Sequence, residues 1–284
     1  MNIDFRVYPH FYEDICKDDD TFITRQEVLN IHNNSTASIS HIKNQMRLAN
    51  LDFLVLHAQD ENSVDGKTVL SNEEVSSLAK SYPDMFIAVA SVDPKDENSS
   101  EKLINAFDNL DMKALRLNLS RLDIDPDDKR ILKLLDVCSE KDKNVIFETG
   151  ISYDRGYAAK YSNPALYENL IIKYPNLKFC FTRCGWPWTR ETIMLLMKYR
   201  NVYTDTGLLY FDSAREFYNY LLNQEFQKTW IDRSLSHQIM FASENPRFEQ
   251  IRMSNVLQNM DFHKTTMDRI MGGNAREFLG VDYE

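Results

Sequence analysis

Eight short runs of apolar and β-favouring residues, each followed by a longer helical pattern, constrain this sequence more than any other feature in it. They fall at residues 3–8, 53–57, 86–91, 114–117, 144–148, 178–182, 202–205 and 238–242. Most are apolar on both faces, as expected of parallel strands covered by helices. Strand–helix alternation of this length permits a closed (β/α)8 barrel or an open doubly wound sheet. A dinucleotide-binding open sheet needs a glycine-rich turn after its first strand. Here that turn reads Pro9-His10-Phe11-Tyr12, and the chain has only 8 glycines in 284 residues, so the barrel is preferred. Single barrels run to roughly 250 residues. No Gly/Ser-rich linker, low-complexity segment or repeat beyond the βα alternation divides the chain. Residues 1–284 are expected to form one α/β domain, a single (β/α)8 TIM barrel.

Helix starts are legible between the runs. Thr24-Arg25-Gln26-Glu27 and Ser71-Asn72-Glu73-Glu74 read as capping boxes. Asp125-Pro126 and Asn163-Pro164 each set a capping side chain before a proline in the first helical position. Ile131, Leu134, Leu135 and Cys138 share one helical face.

Composition excludes some classes of function. No run of 18 apolar residues exists, so no membrane span is expected. A net charge of −10 argues against nucleic acid, whose binding needs basic surface to displace counterions. The acidic run Asp18-Asp19-Asp20 reads as a solvated loop. Cys16, Cys138, Cys180 and Cys184 lack the spacing of a disulfide framework, and no secretory leader precedes the first strand, so a cytoplasmic protein is expected.

In a barrel of this kind, polar residues at the strand C-termini form the floor of the active site. Taken in order they are Arg6 and Tyr8, His57, Asp93, Arg116 and Asn118, Glu148, Arg183, Asp205 and Glu244. The set holds three arginines and one histidine.

Longer stretches resemble a known family. Ile3-Asp4 opens strand one, Ala88-Val89-Ala90-Ser91-Val92-Asp93-Pro94 follows strand three, and Val145-Ile146-Phe147-Glu148-Thr149-Gly150 spans strand five. Gly185-Trp186-Pro187-Trp188 comes after strand six, and Met240-Phe241-Ala242-Ser243-Glu244-Asn245-Pro246 and Gly273-Asn274-Ala275-Arg276 lie near the end. In order and spacing these landmarks resemble the amidohydrolase-related family of barrel hydrolases, which includes dicarboxylate lactonases and decarboxylases of small carboxylated rings. The resemblance implies metal-binding histidines at positions 6, 8, 148 and 183 and an aspartate at 244. The chain has Arg6, Tyr8, Glu148, Arg183 and Glu244 instead. Arginine stays protonated and cannot ligate a metal, so neither a catalytic metal nor another cofactor is expected.

Two readings of the substitutions compete. In one, Arg6 and Arg183 neutralise Glu148 and Glu244 as buried ion pairs in a non-catalytic barrel that binds an anionic metabolite or a protein partner. In the other, the guanidinium groups replace the metal's electrostatic task in a metal-independent hydrolase or lyase acting on a small carboxylate-bearing molecule. The second is preferred, because every replacement is polar. Glu244 is then the first choice of general base, Arg183 the oxyanion and anion binder, and Glu148 a second acid or a counter-ion. Arg6, Tyr8, Arg116, Asn118, His57 and Trp186 are the candidate substrate-binding residues. His10, Phe11 and Tyr12 are the candidate lid. The resemblance also allows a homodimer.

Overall fold

The computed structural model describes residues 1–152, 154–207 and 213–282. Its strands are β1 (Ile3–Val7), β2 (Phe53–His57), β3 (Phe86–Ser91), β4 (Ala114–Leu117), β5 (Asn144–Phe147), β6 (Phe179–Phe181), β7 (Val202–Asp205) and β8 (Ile239–Met240). They pair in parallel in chain order. The circle closes where the Phe5 amide donates to the Phe241 carbonyl at 2.9 Å and the Glu244 amide to the Arg6 carbonyl at 3.0 Å. This is the expected (β/α)8 barrel. The last strand is shorter than its apolar run because the Phe241 amide bonds the Ile270 carbonyl of a helix and the Ala242 amide bonds the Thr206 hydroxyl.

Two apolar layers hold the barrel. Ile3, Phe5, Val55, Val89, Ile146 and Met240 fill its interior, and Phe278 seals the N-terminal end edge-on to Phe5, with ring centroids 5.4 Å apart. Leu54, Leu56, Leu115, Phe147 and their neighbours form the outer layer against the helices. Each such side chain contributes about 1.5–3 kcal/mol on burial.

Strand β1 carries a bulge. Asp4 pairs with Leu54 but Val7 with Leu56, so one extra residue lies between them on β1. Without it, alternation would turn Arg6 to the same side as Asp4, away from the interior. The bulge lets Phe5 fill the barrel while Arg6 and Tyr8 both aim at the mouth.

Between β1 and β2 run two helices, α1 (Asp19–Leu29) and α2 (Ile39–Leu48). The cap of α1 is Asp18, whose carboxylate accepts the Thr21 amide at 2.8 Å, and Asp19 and Asp20 occupy its first turn. The acidic run expected as loop therefore begins the helix, where carboxylates suit the positive end of the dipole. Thr24 is consequently mid-helix and caps nothing. After β2 come α3 (Asn62–Asp65) and α4 (Asn72–Ser81), and α4 has the predicted capping box between Ser71 and Glu74. The helix Lys129–Glu140 starts later than Asp125-Pro126 suggested. Asp128 caps it, while Asp125 closes a turn by accepting the Asp127 amide at 2.9 Å. Asn163 caps a short 3-10 turn, as expected.

Candidate functional site

The C-terminal ends of the strands bring the predicted charged residues into one buried network. Arg6 grips Asp205 with two nitrogens, Nε at 2.9 Å and Nη2 at 3.0 Å, and Nη2 also donates to the Gly207 carbonyl at 3.0 Å. Its Nη1 lies 3.2 Å from Glu244 and 3.8 Å from Glu148. Arg183 holds Glu244 bidentately at 2.9 and 2.6 Å and reaches Glu148 with Nη1 at 2.7 Å. Arg116 bridges Glu61 at 2.7 Å and Glu148 at 3.3 Å, and the Tyr8 hydroxyl donates to Glu148. Arg121 extends the network to Glu61 at 2.7 Å, Asp65 at 2.5 Å and Asp154.

The electrostatics follow from burial and proximity. Four guanidinium groups (Arg6, Arg116, Arg121, Arg183) face the four carboxylates Glu61, Glu148, Asp205 and Glu244, and Arg121 has two more in Asp65 and Asp154. Desolvation opposes Glu148's charge, but Arg183, Arg6 and Arg116 together hold its carboxyl well below the usual range. Burial and the nearby Glu148 push the Tyr8 phenol upward, so it remains a donor. Arg6 fits because residue 207 is glycine: a Cβ there would collide with its Nη2. Arg183 and Glu244, the bidentate pair, both sit in the left-handed backbone region at φ 59° and 61°. For side chains of this size that costs roughly 1–3 kcal/mol each and persists only when the surroundings impose it.

A cavity of about 70 Å³ lies above the network, lined by Tyr8, Glu61, Arg116, Asn118, Glu148, Arg183 and Glu244 among others. Val28, Leu29 and Ile31 from the end of α1, together with Asp154, Tyr157 and Arg247, complete its walls. Asn118 caps the helix Leu119–Leu122 and donates to the Tyr157 hydroxyl at 3.3 Å. His10, Phe11 and Tyr12 are buried and do not form a lid, since Phe11 packs on Phe22 of α1 at 5.4 Å. The cover comes instead from the C-terminal end of α1, where Arg247 donates to the Leu29 carbonyl at 2.5 Å.

Five predicted residues lie off the cavity lining: Arg6 and Asp205, paired beneath it, Asp93, which accepts the Ser63 and Lys95 amides at 2.6 and 2.9 Å, and His57 and Trp186. His57 is fully buried beneath Tyr8, with Nε2 2.9 Å from the Phe5 carbonyl, and burial lowers its pKa to about 3. Trp186 packs edge-on to Phe217 at 5.9 Å. Glu61 and Arg121 belong to the network but escaped the sequence reading. Each stands four residues beyond the end of a strand, in a short helix or its cap, and that spacing was the available signal.

The metal implied by the resemblance does not suit these residues. Guanidinium groups have no lone pair to donate, and Arg6 and Arg183 already lie against the Glu148 and Glu244 oxygens that an ion would need. Among the described residues no group of three or more His, Cys, Asp or Glu side chains is arranged to hold a metal ion. Nor is any described helix long and apolar enough to cross a membrane.

Comparison with known proteins bears on this geometry. A family model described as amidohydrolase matches residues 49–281. Protein fluG of Emericella nidulans is 28% identical over 142 residues, and the match covers 48% of this chain but 16% of that much longer protein. An uncharacterised TIM-barrel protein from Bordetella bronchiseptica superposes with a TM-score of 0.77 at 20% identity, covering 98% of each chain. The 5-carboxyvanillate decarboxylase LigW from Sphingomonas paucimobilis gives 0.68 at 12% identity, covering 99% of each chain. A probable 2-pyrone-4,6-dicarboxylic acid hydrolase from Acinetobacter baumannii, with citric acid bound, gives 0.67 at 14%, also covering 99% of each. At these identities the solved structures establish the shared barrel.

Proposed function

This chain belongs to the amidohydrolase family, and from that premise we propose that its barrel mouth performs hydrolysis or a related lyase step on a small carboxylate-bearing molecule without a divalent metal. The observation that carries the reading is the Arg183–Glu244 pair, each partner held in left-handed backbone at the mouth. Strain of this kind collects where geometry serves function. The related decarboxylase and hydrolase take small carboxylated molecules by name, which supports the substrate class.

In the hydrolytic version, Glu244 accepts a proton from water as its oxygen attacks a carbonyl carbon. Arg183, which lines the cavity, stabilises the developing oxyanion, and Arg6 lies behind it against Glu244 and Asp205. Glu148, fixed as an anion by three arginines, positions both guanidinium groups, and the Tyr8 hydroxyl donates to it. Arg116 and Asn118 face the cavity and are suited to a substrate carboxylate. A cavity of about 70 Å³ is far below the roughly 300 Å³ at which ligand pockets begin. Substrate entry therefore requires the cover at the end of α1 to move.

A second reading has its own support: Arg6, Arg116, Arg121 and Arg183 each already have a carboxylate partner. On that reading the network is a plug in a non-catalytic barrel. Turnover of a panel of lactones and carboxylated aromatic acids separates the two. We expect Glu244→Gln to lower kcat by about 10²–10⁴ in a protein that remains folded, and a chelator to leave the wild-type rate unchanged. Loss of the rate on chelation would sink the metal-free mechanism. Absence of turnover and of any carboxylate-induced rise in Tm would favour the plug.

A further inference from the structure

A second, larger space adjoins the mouth. A groove of about 660 Å³ runs between residues 34–38, α2 and residues 245–251, and it shares Tyr8, Pro246 and Arg247 with the small cavity. Its volume falls within the roughly 300–1,000 Å³ of ligand pockets, whereas the mouth alone can seat little more than a carboxyl group.

The groove's chemistry differs from that of the mouth. Its charged lining, Glu13 and Glu249 against Arg247, has no excess positive charge to hold a second carboxylate. Side-chain amides and hydroxyls dominate instead. His41 and Gln45 stand four residues apart on one face of α2, and Ser35 and Thr36 flank them. Among the described residues these four side chains make no hydrogen bond, while Asn245 and Gln250 of the opposite wall are already bonded to Phe248 and Asp4. Buried rings of Phe11, Tyr12 and Phe248 form the apolar base. One wall thus offers hydrogen-bonding side chains without protein partners over an apolar floor, and the groove shares with the mouth the tyrosine that donates to Glu148.

We propose that this groove is the tail subsite of the mouth: it takes the uncharged, hydroxyl-rich segment of a molecule whose carboxylate end enters past Tyr8. The inference rests on the reading of the mouth given above. Calorimetric titration of the full chain with acetate, malonate and gluconate tests it. Gluconate should bind about tenfold more tightly than either short acid, a gain of the size expected for one or two neutral hydrogen bonds. The double variant Thr36→Val, Gln45→Leu, checked for an unchanged thermal melt, should erase that advantage and leave malonate affinity unaltered. If gluconate shows no advantage, or one that survives the double variant, the tail subsite is overturned while the mouth reading stands. If none of the three acids binds, both fall together.

Discussion

Glu148 is the residue on which the charge arrangement turns. Its Oε1 accepts from Tyr8 and from Arg116 at 3.3 Å, its Oε2 from Arg183 at 2.7 Å, and Arg6 stands 3.8 Å away. Each arginine comes from a different strand end, so this carboxylate ties β1, β4 and the turn after β6 to β5. Glu148→Gln preserves shape but deletes the charge and turns an amide donor toward cations. We expect a loss of about 3–5 kcal/mol in unfolding free energy, as for a buried pair deprived of one partner, measured by urea denaturation. A loss under about 1 kcal/mol, the range of exposed pairs, would mean that solvent screens the mouth.

At the scale of elements, α1 is unusual in docking through a cation. Arg25 is its one buried residue and donates to the Val69 carbonyl at 3.0 Å, the His10 and Ile15 carbonyls at 2.9 Å each, and Glu74 at 2.6 Å. The same Glu74 closes the capping box of α4, so one carboxylate joins the two helices. Arg25→Gln should loosen α1 selectively. Hydrogen exchange over residues 19–31 should speed up by tenfold or more (about 1.4 kcal/mol per tenfold), with the barrel strands unchanged; uniform acceleration would mean that α1 is not a separable cover. This element also marks the limit of what the sequence discloses. The strands were legible because each is a bounded apolar run, and α4 because Ser71 and Glu74 have the spacing of a reciprocal cap. The helix α1 has almost no apolar stripe, so its start was misplaced to Thr24 and its role over the mouth went unseen. The bulge at Phe5–Arg6 was equally hidden. Local alternation turns Arg6 away from the interior; its place near the C-terminal end of the first strand, and the resemblance, put it in the mouth.

At the scale of the whole molecule, buried titratable groups set how stability varies with pH. His10 and His57 are neutral in the fold, their pKa values lowered by burial from 6.5 to about 3. Between these values the unfolded chain binds more protons, so stability is lost as pH falls from 6.5 toward 3. Glu148, also depressed, acts in the same sense below its ordinary value. Asp4 opposes them: burial raises it from 3.8 to about 6, so its contribution is present at low pH and fades as pH rises through that window. Asp60 and Glu61, also raised by burial, act in the same sense as Asp4, so the slope of stability from pH 4 to 6 is a balance of two histidines against three carboxyls. His57→Gln, which retains a donor for the Phe5 carbonyl, should reduce that slope by about 1.4 kcal/mol per pH unit, measured by urea unfolding at each pH. An unaltered slope would place the histidine's titration elsewhere.

The interlocked mouth also bears on which substitutions it can accept. A histidine at position 6 alone would leave Asp205 without its guanidinium, and one at 183 would leave Glu244 with Arg6 at 3.2 Å as its remaining cation. Either change leaves buried charge incompletely paired, and neighbouring changes of this kind do not add independently. Replacing one member of the lattice is therefore expected to cost more than exchanging an arginine together with the carboxylate it holds, so the mouth tolerates change in pairs rather than singly.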